Sequence, residues 1–194
     1  MQLSVDGFVS ATPGDDWMVW DFGEEWSWDD KLRKYHTDLT SSVDTILLSR
    51  KLAVGGFIDH WADIASRTGH PQAVFAGNVT NARKVIFSRT LKKLPWPNTE
   101  LTKGDLTREV NRIKAEEGKD ILVYGGASFV ADLIKANLID EYHLVINPAI
   151  LGRGIPIFNK VSHMIALSLI AANSYGDGMV VLTYKPRPGY RWIE

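Results

Sequence analysis

One stretch limits the fold of this chain more than any other: Val123-Tyr124-Gly125-Gly126-Ala127-Ser128. The apolar run from Ile121 to Tyr124 reads as a buried strand, it stops at two glycines, and a helical pattern begins at once. A strand that feeds a helix through glycine presents backbone N–H groups at a helix N-terminus with no side chain in the way, so an anionic group can come close. The junction is a unit of α/β architecture, and it is built to hold a phosphate.

The surrounding pattern agrees with that architecture. Gln2–Val5 reads as a short strand broken by Asp6-Gly7. Thr45–Leu48 and Lys84–Phe87 read as buried strands, and Glu141–Asn147 as another. Helices are expected around Leu32, Tyr35 and Leu39 with Ser27 as cap, over 58–67, from an Asp105 cap to Gly118, and from Ala127 to about Ala136. Leu94 to Thr102, with two prolines, reads as extended linker. Two alternating runs, 166–170 and 179–184, flank Ser174-Tyr175-Gly176-Asp177-Gly178 and make a hairpin. Strands alternating with helices, then a β-rich end, give an α/β domain with a mixed sheet. One domain is expected over 1–185, with a peripheral tail over 186–194.

Composition narrows the function. The net charge is −1 over 194 residues, which gives no global basic field for nucleic acid and no polybasic stretch for a membrane surface. Any anion site must be local. There is no cysteine, which removes disulfides, thiolate catalysis and Cys-based zinc, and fits a reducing, cytoplasmic setting. The histidines show no metal spacing, so no metal site is expected. Four of seven tryptophans (Trp17, Trp20, Trp26, Trp28) fall close together. They read either as a loop stapled to the core by aromatic area or as a pocket wall for a flat heterocycle.

Three buried-type strands end alike: Leu48 runs into Ser49-Arg50-Lys51, Phe87 into Ser88-Arg89-Thr90, and Tyr124 into Gly125-Gly126. In an open α/β sheet ligands bind beyond the carboxyl ends of the strands. If the three are parallel neighbours, the glycine turn supplies N–H donors for a pyrophosphate, and Arg50 and Arg89 supply guanidinium groups for a second phosphate. That combination points to a phosphorylated dinucleotide, NADP rather than NAD. The ordinary G-x-G-x-x-G fingerprint is missing.

At this point the residues carry a family likeness. The chain resembles the dihydrofolate reductase-like superfamily, and more closely the reductase domain of the bifunctional riboflavin-biosynthesis enzyme. Ser4-Val5-Asp6-Gly7 matches its Ser-x-Asp-Gly strand, Ser49-Arg50-Lys51-Leu52 matches Gly-Arg-x-Thr in part, and Ile86–Leu91 matches Val-x-Ser-Arg-Thr-Leu. Gly125-Gly126-Ala127, Leu138-Ile139-Asp140-Glu141 and Pro148–Phe158 match its last three motifs, in order.

The resemblance implies a three-layer fold: a mostly parallel central sheet, a C-terminal antiparallel hairpin, and helices on both faces. It implies an NADPH-dependent reductase, homodimeric, that passes hydride to a pteridine-like heterocycle or a ribosylamino-pyrimidine. Ser49, Arg50, Lys51, Ser88, Arg89, Thr90, Gly125, Gly126, Ala127 and Ser128 would line the cofactor. Asp6, Trp28 and Asp30 would face a small-molecule substrate between the Asp6 loop and the first helix. The family's first strand is longer, which implies that this chain starts inside it.

Three features stand apart from the family pattern. Ser49 replaces the usual glycine and Leu52 the usual threonine. The position of the acid that folate reductases carry on the first helix falls here on Arg33, with Asp29 and Asp30 one turn earlier. These departures leave a rival open, a non-catalytic NADP- or ligand-binding module. Asp6 reads equally as a substrate contact or as a turn aspartate bonded to its own backbone.

Overall fold

The computed structural model describes residues 1–11, 28–176 and 178–189. Trp17, Trp20, Trp26, Ser27, Asp177 and the end of the tail lie outside the described residues. The chain divides into two compact units, Trp28–Val130 and a second made of Met1–Ser27 with Ala131–Glu194.

The first unit is organised by four parallel strands in the order β4-β3-β2-β5: β2 (Val43–Ser49), β3 (Arg83–Phe87), β4 (Thr99–Thr102) and β5 (Asp120–Gly125). Ile46, Leu47 and Leu48 are all buried in succession, as are Val85 and Ile86. Side chains alternate across a strand, so both faces of the sheet centre are covered, as parallel sheets require. Burying each such side chain contributes about 1.5–3 kcal/mol.

Helix α1 (Asp30–Ser41) opens where the Asp29 carboxylate accepts the Leu32 N–H at 2.7 Å. The cap is therefore Asp29 rather than Ser27, because it stands three residues before the N–H that needs an acceptor. The buried stripe is Leu32, His36 and Thr40, a spacing of four, with Tyr35 and Leu39 only half-buried. After β2 come α2 (Arg50–Leu52), a wider turn over Ala53–Phe57, and α3 (Ile58–Ser66), whose buried residues are Ile58, Trp61 and Ile64.

Helix α4 (Ala73–Asn81) had no counterpart in the sequence reading. Its C-terminal carbonyls are closed by the next strand. Buried Lys84 donates from Nζ to the carbonyls of Ala82 (2.8 Å), Val79 (3.3 Å) and Thr80. Those orphan carbonyls and the negative helix end explain how a lysine sits in the interior, where burial brings its ammonium down to about 8.

The stretch expected as linker contains β4, which pairs with β3 over four residues. Its prolines precede the strand and so remove no ladder donor. Helix α5 (Leu106–Lys114) is capped by Asp105 as expected, but it ends at Ala115 rather than Gly118. The Ala115 N–H already closes a tight last turn onto Asn111 and Arg112.

The second unit holds strands β1 (Gln2–Ser4), β6 (Tyr142–Asn147), β7 (Leu167–Ser174) and β8 (Val180–Pro186) in the order β1-β6-β8-β7. β1 and β6 are parallel, β8 is antiparallel to both its neighbours, and β7–β8 is the expected hairpin. Helix α6 (Ala127–Lys135) follows the glycine turn and crosses the division between the units. The α/β class, the parallel strands and the C-terminal hairpin are as the sequence implied. The finer difference is that the strands hydrogen-bond as two four-stranded sheets.

Candidate functional site

The register of the parallel sheet decides which strand ends meet. Ser49 lies opposite Phe87, and Leu48 opposite Gly125. Positions 49–51, 88–90 and 125–126, far apart in sequence, are therefore side by side at the carboxyl edge of β3-β2-β5. This is the place where open α/β sheets bind ligands.

Gly125 has φ 123°, a backbone shape that a side chain would strain, which is why the strand must end in glycine. The Gly125–Gly126 peptide is cis. Among the described residues, a Cβ added at Gly126 would find only the Ser49 hydroxyl, at 4.0 Å, so they leave the space above the turn open. The Ser49 Oγ accepts two N–H groups, from Leu52 and from Gly126, each at 3.2 Å. It thereby ties the end of β2 to the glycine turn that follows β5.

After β3 the chain is shaped by Ser88, whose Oγ accepts the N–H groups of Thr90 (3.2 Å) and Leu91 (3.0 Å). Further along, the Trp96 indole N–H donates to Asp59 at 2.8 Å and holds the loop against α3. Arg50, Lys51, Arg89, Lys92 and Lys93 are exposed on these segments, and among the described residues none of them meets a carboxylate. Below them, Phe87 packs on Phe129 and Tyr124 on Phe57, and burial pushes the Tyr124 phenol far above its ordinary value. The edge thus carries exposed cations beside a turn whose N–H groups at Gly126, Thr90 and Leu91 are held by the Ser49 and Ser88 hydroxyls.

The residues expected to face substrate lie at or just before the start of α1 and on the loop after β1. Trp28 is buried and stacks on His36 with ring centroids 4.3 Å apart, so its area serves the core. Asp30 is exposed in the first turn of α1 and pairs with Arg33 at 2.5 Å. Ala127 and Ser128 open α6, with Ser128 exposed.

Asp6, in the other unit, accepts the Ser4 hydroxyl at 2.7 Å and the N–H groups of Leu151 (3.1 Å) and Gly152 (2.6 Å). These bonds, Ser4 foremost, hold its carboxyl below the usual carboxylate value. The Ser4–Gly7 and Pro148–Phe158 motifs thus close onto each other. Val9 and Ser10 continue the seam through Ile155, and a Cβ on Gly154 would lie 2.4 Å from the Ser10 carbonyl oxygen. Asp6 acts here as the anchor of a loop.

Sequence reasoning missed that the Ser49 hydroxyl holds the Gly126 N–H, since the partner lies 77 residues away. It also passed over Lys92 and Lys93, which two adjacent lysines three residues after Arg89 would have signalled.

A parallel sheet joined to a helix through a glycine turn, with helices following its strands, places the chain in the α/β class. The family model of the RibD C-terminal domain matches residues 1–181, and the chain belongs to that family, within the dihydrofolate reductase-like superfamily. It is 30% identical over 188 residues to the uncharacterized protein YyaP of Bacillus subtilis (strain 168), covering 95% of this chain and 91% of the relative.

Among solved structures it is similar to a candidate riboflavin biosynthesis protein of Shewanella sp. PV-4 (TM-score 0.67, 18% identity, 96% of each chain). It is also similar to a deaminase/5-amino-6-(5-phosphoribosylamino)uracil reductase of Thermotoga maritima (TM-score 0.62, 18% identity). That match covers 96% of this chain but 55% of the bifunctional one. The fold is that of a riboflavin-pathway reductase domain.

Proposed function

We propose that this chain is an NADPH-dependent reductase that binds its cofactor across the carboxyl ends of β2, β3 and β5. Its substrate is a small heterocycle, pteridine-like or a ribosylamino-pyrimidine. The observation that carries the reading is the adjacency of Ser49–Lys51, Ser88–Thr90 and Gly125–Gly126, fixed by sheet register. Family membership supports the same reading.

The residues fit the cofactor. The open space above Gly126 admits a pyrophosphate, and the exposed Arg50 and Arg89 offer bidentate donors to a 2′-phosphate. When bound, NADPH supplies the hydride. The chain's part is to hold the phosphates, orient the ring over the Phe87 and Tyr124 layer and exclude water.

Titration with NADPH, followed by tryptophan fluorescence, tests the reading. Quenching or energy transfer that saturates is expected, and no change at millimolar cofactor would overturn it. Arg89→Ala should weaken NADPH far more than NADH, and equal losses would remove Arg89 from the 2′-phosphate.

One observation favours a second reading, a binding module without turnover. Arg33, at the position where folate reductases carry their acid, is paired with Asp30. Tight NADPH binding with no oxidation across a panel of pterins and ribosylaminopyrimidines would establish it. The homodimer belongs to the proposal too. Leu167, Leu169 and Ile170 are exposed on the edge strand β7, and light scattering at a mass of one chain would exclude it.

A further inference from the structure

Ser49 is where this chain departs from its family's glycine, and the structure gives the departure a use. A hydroxyl has two acceptor lone pairs and one donor hydrogen. Both acceptor positions of Ser49 Oγ are taken, by Leu52 N–H and by Gly126 N–H. Its own O–H finds no acceptor among the described residues. The hydroxyl stands 4.0 Å from a Cβ built on Gly126, where the described residues otherwise leave open space.

Accepting two N–H groups polarises the O–H, which makes it a stronger donor, and an anion is the acceptor that gains most from it. Arg50, the next residue, adds positive charge at the same strand end. Serine holds the Gly126 N–H and presents its own O–H as the donor beside the turn.

We infer that Ser49 is a pyrophosphate-binding residue, its hydroxyl donating to a bridging or terminal oxygen of the dinucleotide's diphosphate while its lone pairs fix the glycine turn. The inference rests on the cofactor reading above and specifies one contact within it.

Two probes separate the contact from the reading: 2′-phospho-ADP-ribose, which carries the diphosphate and the 2′-phosphate, and adenosine 2′-monophosphate, which lacks the diphosphate. Each is titrated calorimetrically into the wild-type protein and into Ser49→Ala, Ser49→Gly and Ser49→Thr, with thermal melts as a check on folding. A hydrogen bond to a charged group is worth about 1.5–3 kcal/mol, so Ser49→Ala should weaken the diphosphate probe about tenfold or more. The monophosphate should stay within about twofold by the additivity expected of separate contacts. Ser49→Thr, which keeps the hydroxyl, should bind both probes as the wild type does.

For Ser49→Gly the inference requires a loss on the diphosphate probe alone. Equal binding of both probes by Ser49→Ala and wild type would overturn the contact and leave the cofactor reading intact. A parallel loss of both probes in Ser49→Ala and Ser49→Thr would make Ser49 a purely structural residue and also overturn it. Wild-type protein that binds neither probe would overturn the cofactor reading and the inference with it.

Discussion

At the amino ends of the parallel strands, Arg83 and Arg112 meet Glu100 and Glu116 in a closed ring of ion pairs. Arg83 bonds both glutamates at 2.5 Å, and Arg112 reaches Glu116 at 2.6 Å and Glu100 at 3.0 Å. At the carboxyl ends of the same strands, Arg50 and Arg89, with Lys51, Lys92 and Lys93, face no carboxylate among the described residues.

The two edges are built from one sheet and from the same types of cation. What differs is the partner supplied. At the amino edge each guanidinium is satisfied by a residue that folding itself delivers, so its charge is spent on structure. At the carboxyl edge the chain delivers small side chains and glycines, no carboxylate among the described residues meets the cations, and in the proposed reading a bound anion takes that place. Asp44 repeats the amino-edge pattern. Its carboxylate accepts the Lys119 N–H at 2.6 Å, which holds its own titration low.

That contrast is open to direct attack. The largest effect is expected from Arg50→Ala with Arg89→Ala. Each lost charge-assisted contact to phosphate costs about 1.5–3 kcal/mol, so NADPH affinity should fall by about a hundredfold or more. The melting temperature should hardly move, because no carboxylate among the described residues pairs with these groups. A double variant that melts early while binding normally would reverse the assignment of the edges.

Arg83→Ala should do the opposite. It leaves Glu100 and Glu116 short of a partner in a half-exposed site and costs about 1 kcal/mol, a fall of about 2–4 °C in a chain of this size. Cofactor titration of the same variant should match the wild type.

The acid limb sharpens the point. The Arg83 hydrogen bond holds the Glu116 carboxyl below its ordinary 4.5, so the folded state binds fewer protons there than the unfolded chain. The stabilisation is whole above about 4.5 and is lost as pH falls through the lowered folded value. Denaturant midpoints measured from pH 6 to pH 3 should drop less steeply in Arg83→Ala than in wild type, and identical slopes would detach Glu116 from the ring. The smallest effect is expected at Ser88→Ala. It removes the acceptor of the Thr90 and Leu91 N–H groups and should loosen the Arg89 loop, with a severalfold loss of NADPH affinity seen by calorimetry.

The amount of this that was legible in the sequence follows from the range of the interactions involved. β2, β3 and β5 announce themselves by apolar runs, and their carboxyl ends by the charged or glycine residues that stop them. Parallel pairing then brings those ends together. Helix α4 stayed hidden because Ala73–Asn81 combines mostly small and apolar residues with an internal glycine and shows little contrast between faces. Strand β4 was masked by the prolines before it and by its own polar Thr-Glu-Leu-Thr run.

The Asp29 cap was missed because Ser27, Asp29 and Asp30 compete for the role within four positions, and only geometry chooses among them. Asp6 was read as either a substrate contact or a local turn residue, whereas its partners at Leu151 and Gly152 lie nearly the whole chain away. Ser49 belongs to the same group. Its hydroxyl reaches Gly126 across 77 residues, a distance no local pattern records.

Backbone amide shifts on adding NADPH give the most direct test of a dinucleotide site at the carboxyl edge of β3-β2-β5. The largest changes should fall on Ser49, Arg50, Arg89, Gly125 and Gly126, with the amides of Arg83, Glu100 and Glu116 unmoved. No shifts at millimolar NADPH, or shifts gathered on the amino-edge ring, would contradict the account.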